Sequence, residues 1–211
     1  MKRVVTFASF ALVASVLACD DGPEREGPEV EEPAEVTSEG ATAAPRDESS
    51  ECIAEARGAV MSLKQSLARR LGPAMAESPE AAVEVCAREA EMIRARVQRE
   101  SGVELGRTAS RLRNPDANGQ APSWVRSYLA AQSEGEAPSE WSELAEGEAR
   151  LVSPLVTGEL CLTCHGDDIA PPILAAIEAR YPNDQARGYQ SGDLRGVVWA
   201  RAECDEERRE R

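Results

Sequence analysis

The chain has 211 residues, of which 42% are apolar and 29% charged, and its formal net charge is −14. This length accommodates one ordinary domain. No basic patch is interleaved with aromatic residues, which excludes nucleic acid as the main partner. His165 is the only histidine, which excludes sites built from several histidines and catalytic triads elsewhere in the chain.

The first 18 residues have the pattern of an export signal. Lys2 and Arg3 precede an apolar run, residues 4–18, that is too short to span a bilayer comfortably. The run ends at Cys19 in a context that resembles a bacterial lipoprotein cleavage site, where the cysteine becomes the acylated first residue. A plain cleaved signal is the alternative. We expect an exported, periplasmic or cell-envelope lipoprotein held to the membrane through its lipid anchor.

Residues 19–51 are predicted to form a disordered acidic tether. Between Asp20 and Glu51 there are 12 acidic and 2 basic residues, a net charge of −10. With almost no large apolar side chain, this segment cannot bury enough surface to offset its ordering entropy. The folded domain is therefore expected at residues 52–204, followed by a charged tail at 205–211.

Two helices are predicted at the start of the domain. Apolar residues recur with a 3.6-residue period over 52–71, and Gly72-Pro73 ends the pattern. Ser78 then has the character of an N-cap with Pro79 at the first helical position. This second helix is predicted to continue to Ser101-Gly102, with a buried stripe formed by Val83, Cys86, Ala90, Ile93 and Val97.

Alternating residues predict an extended segment at 103–113, with Arg107, Arg111 and Arg113 on one face. The rest of the domain is predicted to begin with a helix at 123–132 and a polar loop at 133–147 that contains Trp141. A strand at 149–157, interrupted at Pro154, a helix at 171–181 and a strand at 194–202 are predicted to follow. Because helices come first and no βαβ alternation follows, we expect an α+β domain with an antiparallel sheet.

Residues 161–165, Cys-Leu-Thr-Cys-His, form the c-type haem attachment pattern, called the attachment motif below. Its two thiols add across the haem vinyl groups, and the adjacent histidine ligates the iron. A zinc site would need further ligands nearby, and a redox dithiol leaves the histidine without a purpose. We therefore expect one covalent haem c, with its iron, per chain through Cys161, Cys164 and His165.

Three further cysteines remain in an oxidising compartment: Cys52, Cys86 and Cys204. Cys52 opens the first predicted helix and Cys204 follows the last strand. A disulfide between them ties the ends of the domain and closes a loop of roughly 150 residues, worth about 5 kcal/mol in the chain-entropy model. This pairing leaves Cys86 free.

The residues leave the sixth iron ligand open. Cys86 lies on the buried stripe of its helix, although a buried free cysteine is often an inert core residue. Met92 projects away from that stripe, and Met61 lies on the flank of its own. Met75, expected in a loop and free to reach, is the main competitor, and Lys64 is a more distant one.

The arginines at positions 107, 111 and 113 are candidates to bind the haem propionates through bidentate pairs. The alternative is that they are ordinary surface charges balanced by glutamates. Large aromatic residues are candidates for the walls of the haem site, although such residues also occur in cores without a cofactor; they are Trp124, Tyr189 and Trp199.

Several segments resemble a family of single-haem c-type proteins with a PAS-like fold; they are residues 83–86, 106–115, 161–166 and 181–196. The resemblance covers about residues 52–202. It implies a PAS-like antiparallel sheet flanked by helices, with the iron held by His165 and Cys86. Members of this family also occur as the extracytoplasmic sensing parts of signalling receptors. Because no output domain is recognised here, signalling would need a separate partner protein.

We therefore expect a membrane-tethered, extracytoplasmic c-type haem protein for electron transfer or redox sensing, served by a redox partner protein. No catalytic turnover is expected, because only Asp167 and Asp168 offer acid or base groups beside the attachment motif. Two alternatives remain: a haem-based gas or ligand sensor acting through a separate membrane partner, and a haem enzyme acting on a small sulfur compound.

Overall fold

The computed structural model describes residues 48–115, 120–132 and 138–204. All of them belong to one compact unit, residues 43–211. The predicted signal, Cys19, the tether as far as residue 47 and the tail at 205–211 lie outside the described residues. Within the described part, no helix is long and apolar enough to cross a membrane.

The described residues contain six helices and four strands. The helices are α1 (Glu48–Glu77), α2 (Pro79–Arg88), α3 (Ala90–Ser101), α4 (Ser123–Ala131), α5 (Glu159–His165) and α6 (Pro171–Arg180). The strands are β1 (Glu104–Thr108), β2 (Trp141–Ala145), β3 (Glu148–Val156) and β4 (Leu194–Glu203). They form one antiparallel sheet in the order β1-β4-β3-β2. The prediction of an α+β domain with an antiparallel sheet is therefore confirmed.

Helix α1 extends beyond both of its predicted ends. It begins at Glu48, inside the segment predicted to be a tether, and it continues through Gly72 and Pro73 to Glu77. Proline removes one helical hydrogen bond, so the extension needs support from packing. Ala74 provides it, because it is buried in a cluster with Ala82 and Val85 of α2. The prediction that Gly72-Pro73 ends the helix is wrong for this reason.

The predicted second helix is divided into α2 and α3. Its start is as predicted: the Ser78 hydroxyl accepts a hydrogen bond of 3.0 Å from the Ala81 amide, and Pro79 is the first helical residue. The helix breaks at Glu89. The two parts pack on different surfaces, because Val83 lies in a cluster with α6 whereas Ile93 lies in the main core.

The sheet buries apolar side chains on both faces. On one face, α1 and α3 cover the main core, which includes Leu63, Leu105, Leu151 and Val198. On the other face, α4 covers a second cluster of Val125, Val152, Val197 and Trp199, with Trp124, Tyr128 and Trp141 packed against it. Alternate residues of β4 therefore belong to opposite cores, as expected for a strand that is buried on both faces.

The predicted polar loop at 133–147 contains strand β2. Residues 133–137 lie outside the described residues, but Trp141–Ala145 pair with β3 along their whole length. The hairpin turns at Glu146 and Gly147, whose φ angles of 56° and 79° are those of a two-residue type I′ turn. The indole rings of Trp124 and Trp141 stack 5.9 Å apart. This tertiary contact and the pairing with β3 stabilise a strand in a segment whose polar sequence predicts a loop.

Strand β1 is shorter than predicted, and β3 is not interrupted. The segment predicted to be extended over 103–113 ends as a strand at Thr108, and Leu112 beyond it accepts a hydrogen bond from the Gln185 amide at 2.9 Å. Strand β3 continues through Pro154 rather than stopping there. The β2 ladder ends at Val152, so Pro154 needs no amide donor on that side.

Candidate functional site

The attachment motif lies at the end of the short helix α5. Its two cysteines are three residues apart, which places their thiols on one side of the helix. The helix ends at Gly166, where an added Cβ would lie 2.8 Å from the Leu162 carbonyl oxygen, so a larger residue would not fit. Cys161, Cys164 and His165 all line one cavity.

This cavity has a volume of about 370 Å³, and a smaller one of about 140 Å³ adjoins it. Small-molecule and cofactor sites commonly have volumes of roughly 300 to 1,000 Å³. The wall of the larger cavity is mostly apolar and is formed by α1, α2, α5 and the sheet; its large aliphatic residues are Leu67, Leu71, Val83, Val85, Leu155, Leu160 and Val198. The two cavities share His165 and Cys86.

His165 is held in the form that binds a metal. Its Nδ1 atom lies 2.8 Å from the Ala186 carbonyl oxygen, so Nδ1 carries the proton and the lone pair of Nε2 stays available. Burial, together with Arg113 and Arg195, lowers the pKa of the imidazole to about 3, so it is neutral near pH 7. Arg195 Nη1 lies 3.5 Å from Nε2, a long contact that a bound metal would displace.

The buried carboxylate of Asp184 anchors the loop whose Ala186 carbonyl group orients His165. The Asp184 side chain is fully buried and accepts hydrogen bonds from Arg113, from Arg187 and from the Ala186 amide. Burial by itself would raise the pKa of Asp184, but these hydrogen bonds and charges keep it below its ordinary value. Arg113 also donates to the carbonyl oxygens of Cys164 and Ala186. Asp184 therefore fixes the position of the carbonyl group that orients His165.

Cys86 lies on α2 in the wall of both cavities. Protein atoms surround the thiol, yet its side chain is accessible because it opens into the cavity rather than into packed core. Burial raises the pKa of the Cys86 thiol, and the guanidinium groups of three nearby arginines oppose this rise. These groups belong to Arg107, Arg113 and Arg195.

The competing ligands are placed differently. Met75 and Lys64 line the larger cavity, but Met75 lies in α1 and not in a loop, so that prediction is wrong. The Lys64 ammonium group donates to the Ser153 hydroxyl at 2.7 Å and to the Pro154 carbonyl at 3.1 Å. Met61 and Met92 are 47% and 61% exposed and lie outside both cavity walls.

The three candidate arginines do not share a strand face, because only Arg107 lies in β1. Arg111 donates to the carbonyl oxygens of Arg187 and Gly188 and lies 3.8 Å above the Tyr189 ring. The Nε and Nη2 atoms of Arg113 donate to Asp184 and to two carbonyl groups. The prediction of one shared face is therefore wrong. The Nε atom of Arg107 is buried without a hydrogen-bond partner among the described residues.

Arg195 is a site residue that sequence reasoning missed. In the β3–β4 ladder, Leu155 pairs with Gly196 and Val156 pairs with Leu194, so Arg195 is the extra residue of a β-bulge. Bulges redirect side chains, and this one brings Arg195 to the walls of both cavities. No local sequence signal marks a bulge. Asp184 was missed as well, although it lies in a segment that carries the family resemblance.

The three predicted aromatic wall residues and the two disulfide cysteines are not among the residues that line the larger cavity. Trp124 and Trp199 belong to the cluster on the opposite face of the sheet, so they are not its walls. A disulfide joins Cys52 and Cys204, whose Cα atoms are 5.6 Å apart. Cys86, Cys161 and Cys164 are free among the described residues.

Fold and site together define an α+β protein whose apolar, arginine-lined cavity carries a c-type attachment motif in its wall. The neutral imidazole and the free cysteine are groups that ligate iron, and the two motif thiols are groups that attach a porphyrin, so together they fit a covalently held iron porphyrin. Within the described part, no cluster of three or more His, Cys, Asp or Glu side chains is placed to hold a metal ion.

The chain belongs to the Tll0287-like family, whose model matches residues 30–201. Its fold is similar to that of the crystal structure of the cyanobacterial heme-protein Tll0287, with a TM-score of 0.53 and 22% sequence identity over 69% of this chain and 93% of that chain. At this identity the likeness shows the fold alone. A search of curated proteins finds no match.

Proposed function

We propose that this protein carries one haem c, attached through Cys161 and Cys164, with His165 and Cys86 as the axial ligands of the iron. The observation that carries the proposal is the hydrogen bond from His165 Nδ1 to the Ala186 carbonyl. It leaves Nε2 unprotonated beside an apolar cavity that both motif thiols also line. The relation to a family that includes a heme-protein supports the same conclusion, and a PAS-like description of the fold is part of the proposal.

Cys86 is the better sixth ligand of the candidates. It borders both cavities, as His165 does, whereas Met75 and Lys64 border only the larger one. Two of the arginines that favour the Cys86 thiolate also lower the pKa of His165. This supports a position of Cys86 within the same small region as the imidazole. The amine of Lys64, by contrast, is already hydrogen-bonded.

We propose a role in electron transfer or redox sensing without catalytic turnover. When bound, haem supplies a one-electron iron couple, and the protein contributes the ligands and a largely apolar surrounding. A thiolate ligand favours ferric iron, so the potential is expected below that of cytochromes with methionine and histidine ligands.

The protein is proposed to work outside the cytoplasm, anchored through a lipid on Cys19 and served by a redox partner or a separate signalling partner. The Cys52–Cys204 disulfide supports this location, because disulfides persist mainly in oxidising compartments. The export pattern and the acidic tether agree with it.

Haem content tests the central claim. Haem staining of a denaturing gel and the intact mass should show one haem on the mature chain, and a Cys161→Ala/Cys164→Ala variant should lose it on acid-acetone extraction. Two haems per chain, or loss of haem from the wild type under the same extraction, would contradict the proposal.

The accessible side chain of Cys86 favours one second candidate, a haem-based gas or ligand sensor in which this ligand is displaced. Carbon monoxide distinguishes the two functions. The spectrum of the reduced protein is expected to stay that of six-coordinate, low-spin haem in the presence of carbon monoxide if the role is electron transfer. Ready formation of a carbonyl complex would instead support the sensor.

A further inference from the structure

We propose that Arg107 and Arg195, called the arginine pair below, form a carboxylate-binding site that holds the haem propionates. This inference rests on the proposed function and assigns a role to Arg195, which sequence reasoning had not singled out. Of the earlier set of three arginines it keeps Arg107, whose buried Nε atom has no hydrogen-bond partner among the described residues.

The first observation concerns the Nε atoms of the arginine pair. The Nε atoms of Arg107 and Arg195 are two of the few buried side-chain polar atoms in the described residues that lack a hydrogen-bond partner. A buried donor without a partner is unfavourable, and a charged one more so. The pair therefore needs acceptors, and its members line the walls of both cavities.

The second observation is the charge of the cavity walls. Among the described residues, four cationic side chains line the larger cavity and no carboxylate does; the cationic residues are Lys64, Arg107, Arg113 and Arg195. Asp184 pairs with Arg113. Glu91 lines the smaller cavity and its charge acts on Arg107, but one of its carboxylate oxygens accepts hydrogen bonds of 2.5 and 2.7 Å from Arg94. In a chain with a net charge of −14, the Nε atoms of the arginine pair thus remain without a carboxylate hydrogen-bond partner in the described part.

The third observation is that both residues of the arginine pair lie in the sheet. Arg107 lies in β1 opposite Val198 of β4, and Arg195 is the bulged residue of β4. Both backbones thus belong to the sheet, which positions side chains more firmly than a loop does. A guanidinium group presents parallel N–H donors that match a carboxylate, and haem brings two carboxylates into an otherwise apolar cavity.

The test uses the haem-loaded protein with Arg107→Gln and Arg195→Gln, and Arg201→Gln as the matched control. Arg201 lies in β4, as Arg195 does, and its side chain is 43% exposed and pairs with Glu104 at the surface. Resonance Raman spectra report the propionate bending modes, and redox titration reports the midpoint potential. In each pair variant the propionate modes should shift. The redox equilibrium should also shift about tenfold toward the ferric form, which lowers the midpoint potential by about 59 mV for one electron.

Arg107→Lys separates binding from charge alone. It keeps the positive charge but loses the parallel donors, so the potential should largely recover while the propionate modes stay shifted. Propionate modes that are unchanged in both Gln variants would overturn the proposal. A saturable response of the wild-type spectrum to added acetate, lost in the Gln variants, would show that a free carboxylate occupies the site and would also overturn it.

Failure of the proposed function has a different signature, because the wild type would then carry no covalent haem. The arginine pair is in that case tested in the haem-free chain with succinate. A rise in melting temperature that is lost in both Gln variants but kept in Arg201→Gln would support a carboxylate site. No rise in the wild type would refute the site as well.

Discussion

Replacing Asp184 with Asn should weaken the fold and disturb His165 together. The Asp184 carboxylate is fully buried, and it lies 3.1 Å from Arg113 Nε and 2.8 Å from Arg187 Nε. Asparagine has nearly the same shape but carries no charge, and its NH2 group would face donors. The variant therefore leaves the mostly buried Arg113 guanidinium without its counter-charge.

The size of the effect follows from burial. Removing one partner of a buried ion pair costs about 3 to 5 kcal/mol, because the other charge remains uncompensated. Arg113 keeps its bonds to the Cys164 and Ala186 carbonyl groups, and Arg187 is 31% exposed and can be hydrated. We therefore expect a loss of about 3 kcal/mol in the free energy of unfolding. This is a large share of the roughly 5 to 15 kcal/mol that stabilises a typical domain.

The effect on the site follows from the loop. Asp184 accepts from the Ala186 amide at 2.9 Å, and the carbonyl of the same residue accepts from His165 Nδ1. A displaced carbonyl weakens the orientation and the basicity of the imidazole. In the haem-loaded variant we expect a changed low-spin absorption spectrum and a shifted midpoint potential, which a purely structural role for Asp184 would not produce.

The assay is urea unfolding together with redox titration, and Glu178→Gln is the control. Glu178 pairs with the same Arg187, at 3.3 Å, but its side chain is 57% exposed. Surface pairs of this kind contribute roughly 0 to 1 kcal/mol, so the control should retain the wild-type stability, spectrum and potential. If Asp184→Asn matches this control in all three measurements, the argument that Asp184 positions His165 is refuted.

The pH dependence of this prediction has a definite sign. The pKa of Asp184 is lower in the folded state than its ordinary value. Its contribution is therefore fully present above the unfolded pKa of about 3.9, and it is lost as the pH falls through the lower, folded-state pKa. The stability difference between the wild type and Asp184→Asn should be constant near neutral pH and should shrink below about pH 4. Urea titrations at several pH values measure this difference.

Three further outcomes are expected. Cys86→Ala should yield five-coordinate or water-ligated, high-spin ferric haem in a folded domain, whereas Met75→Ala should leave the spectrum unchanged; a loss of the near-infrared sulfur-to-iron band in the methionine variant alone would contradict this. A Cys52→Ser/Cys204→Ser variant opens a sequence separation of 152 residues and should lose about 5 kcal/mol of unfolding free energy in urea, while non-reducing peptide maps of the wild type should show only this pair. Gly106→Ala should lose about 1 to 3 kcal/mol in the same assay, because an added methyl group overlaps the indole ring packed over it; wild-type stability would contradict the packing.

Features that depend on neighbours in sequence were predicted well. The Ser78-Pro79 start of α2, the helix at Ser123–Ala131 and the last strand follow from capping residues and apolar periodicity. Features that depend on distant partners were not. Strand β2 owes its existence to pairing with β3 and to the indole stack of Trp124 and Trp141. Helix α1 passes Pro73 because its last turns pack on α2.

The same distinction governs the chemistry of the site. In the sequence, Arg107, Arg111 and Arg113 are equivalent candidates for an anion, because nothing local separates them. In the fold, Asp184 accepts a hydrogen bond from Arg113, 71 positions away in the sequence, and two carbonyl groups accept hydrogen bonds from Arg111. Arg107 receives no such partner, and a bulge adds Arg195 to the same walls. Whether a guanidinium group is available to a ligand is thus a tertiary property. A covalent attachment motif is contained in five consecutive residues. The residues that orient its histidine, or that neutralise the carboxylates of a bound haem, can be identified only once their contacts in the fold are known.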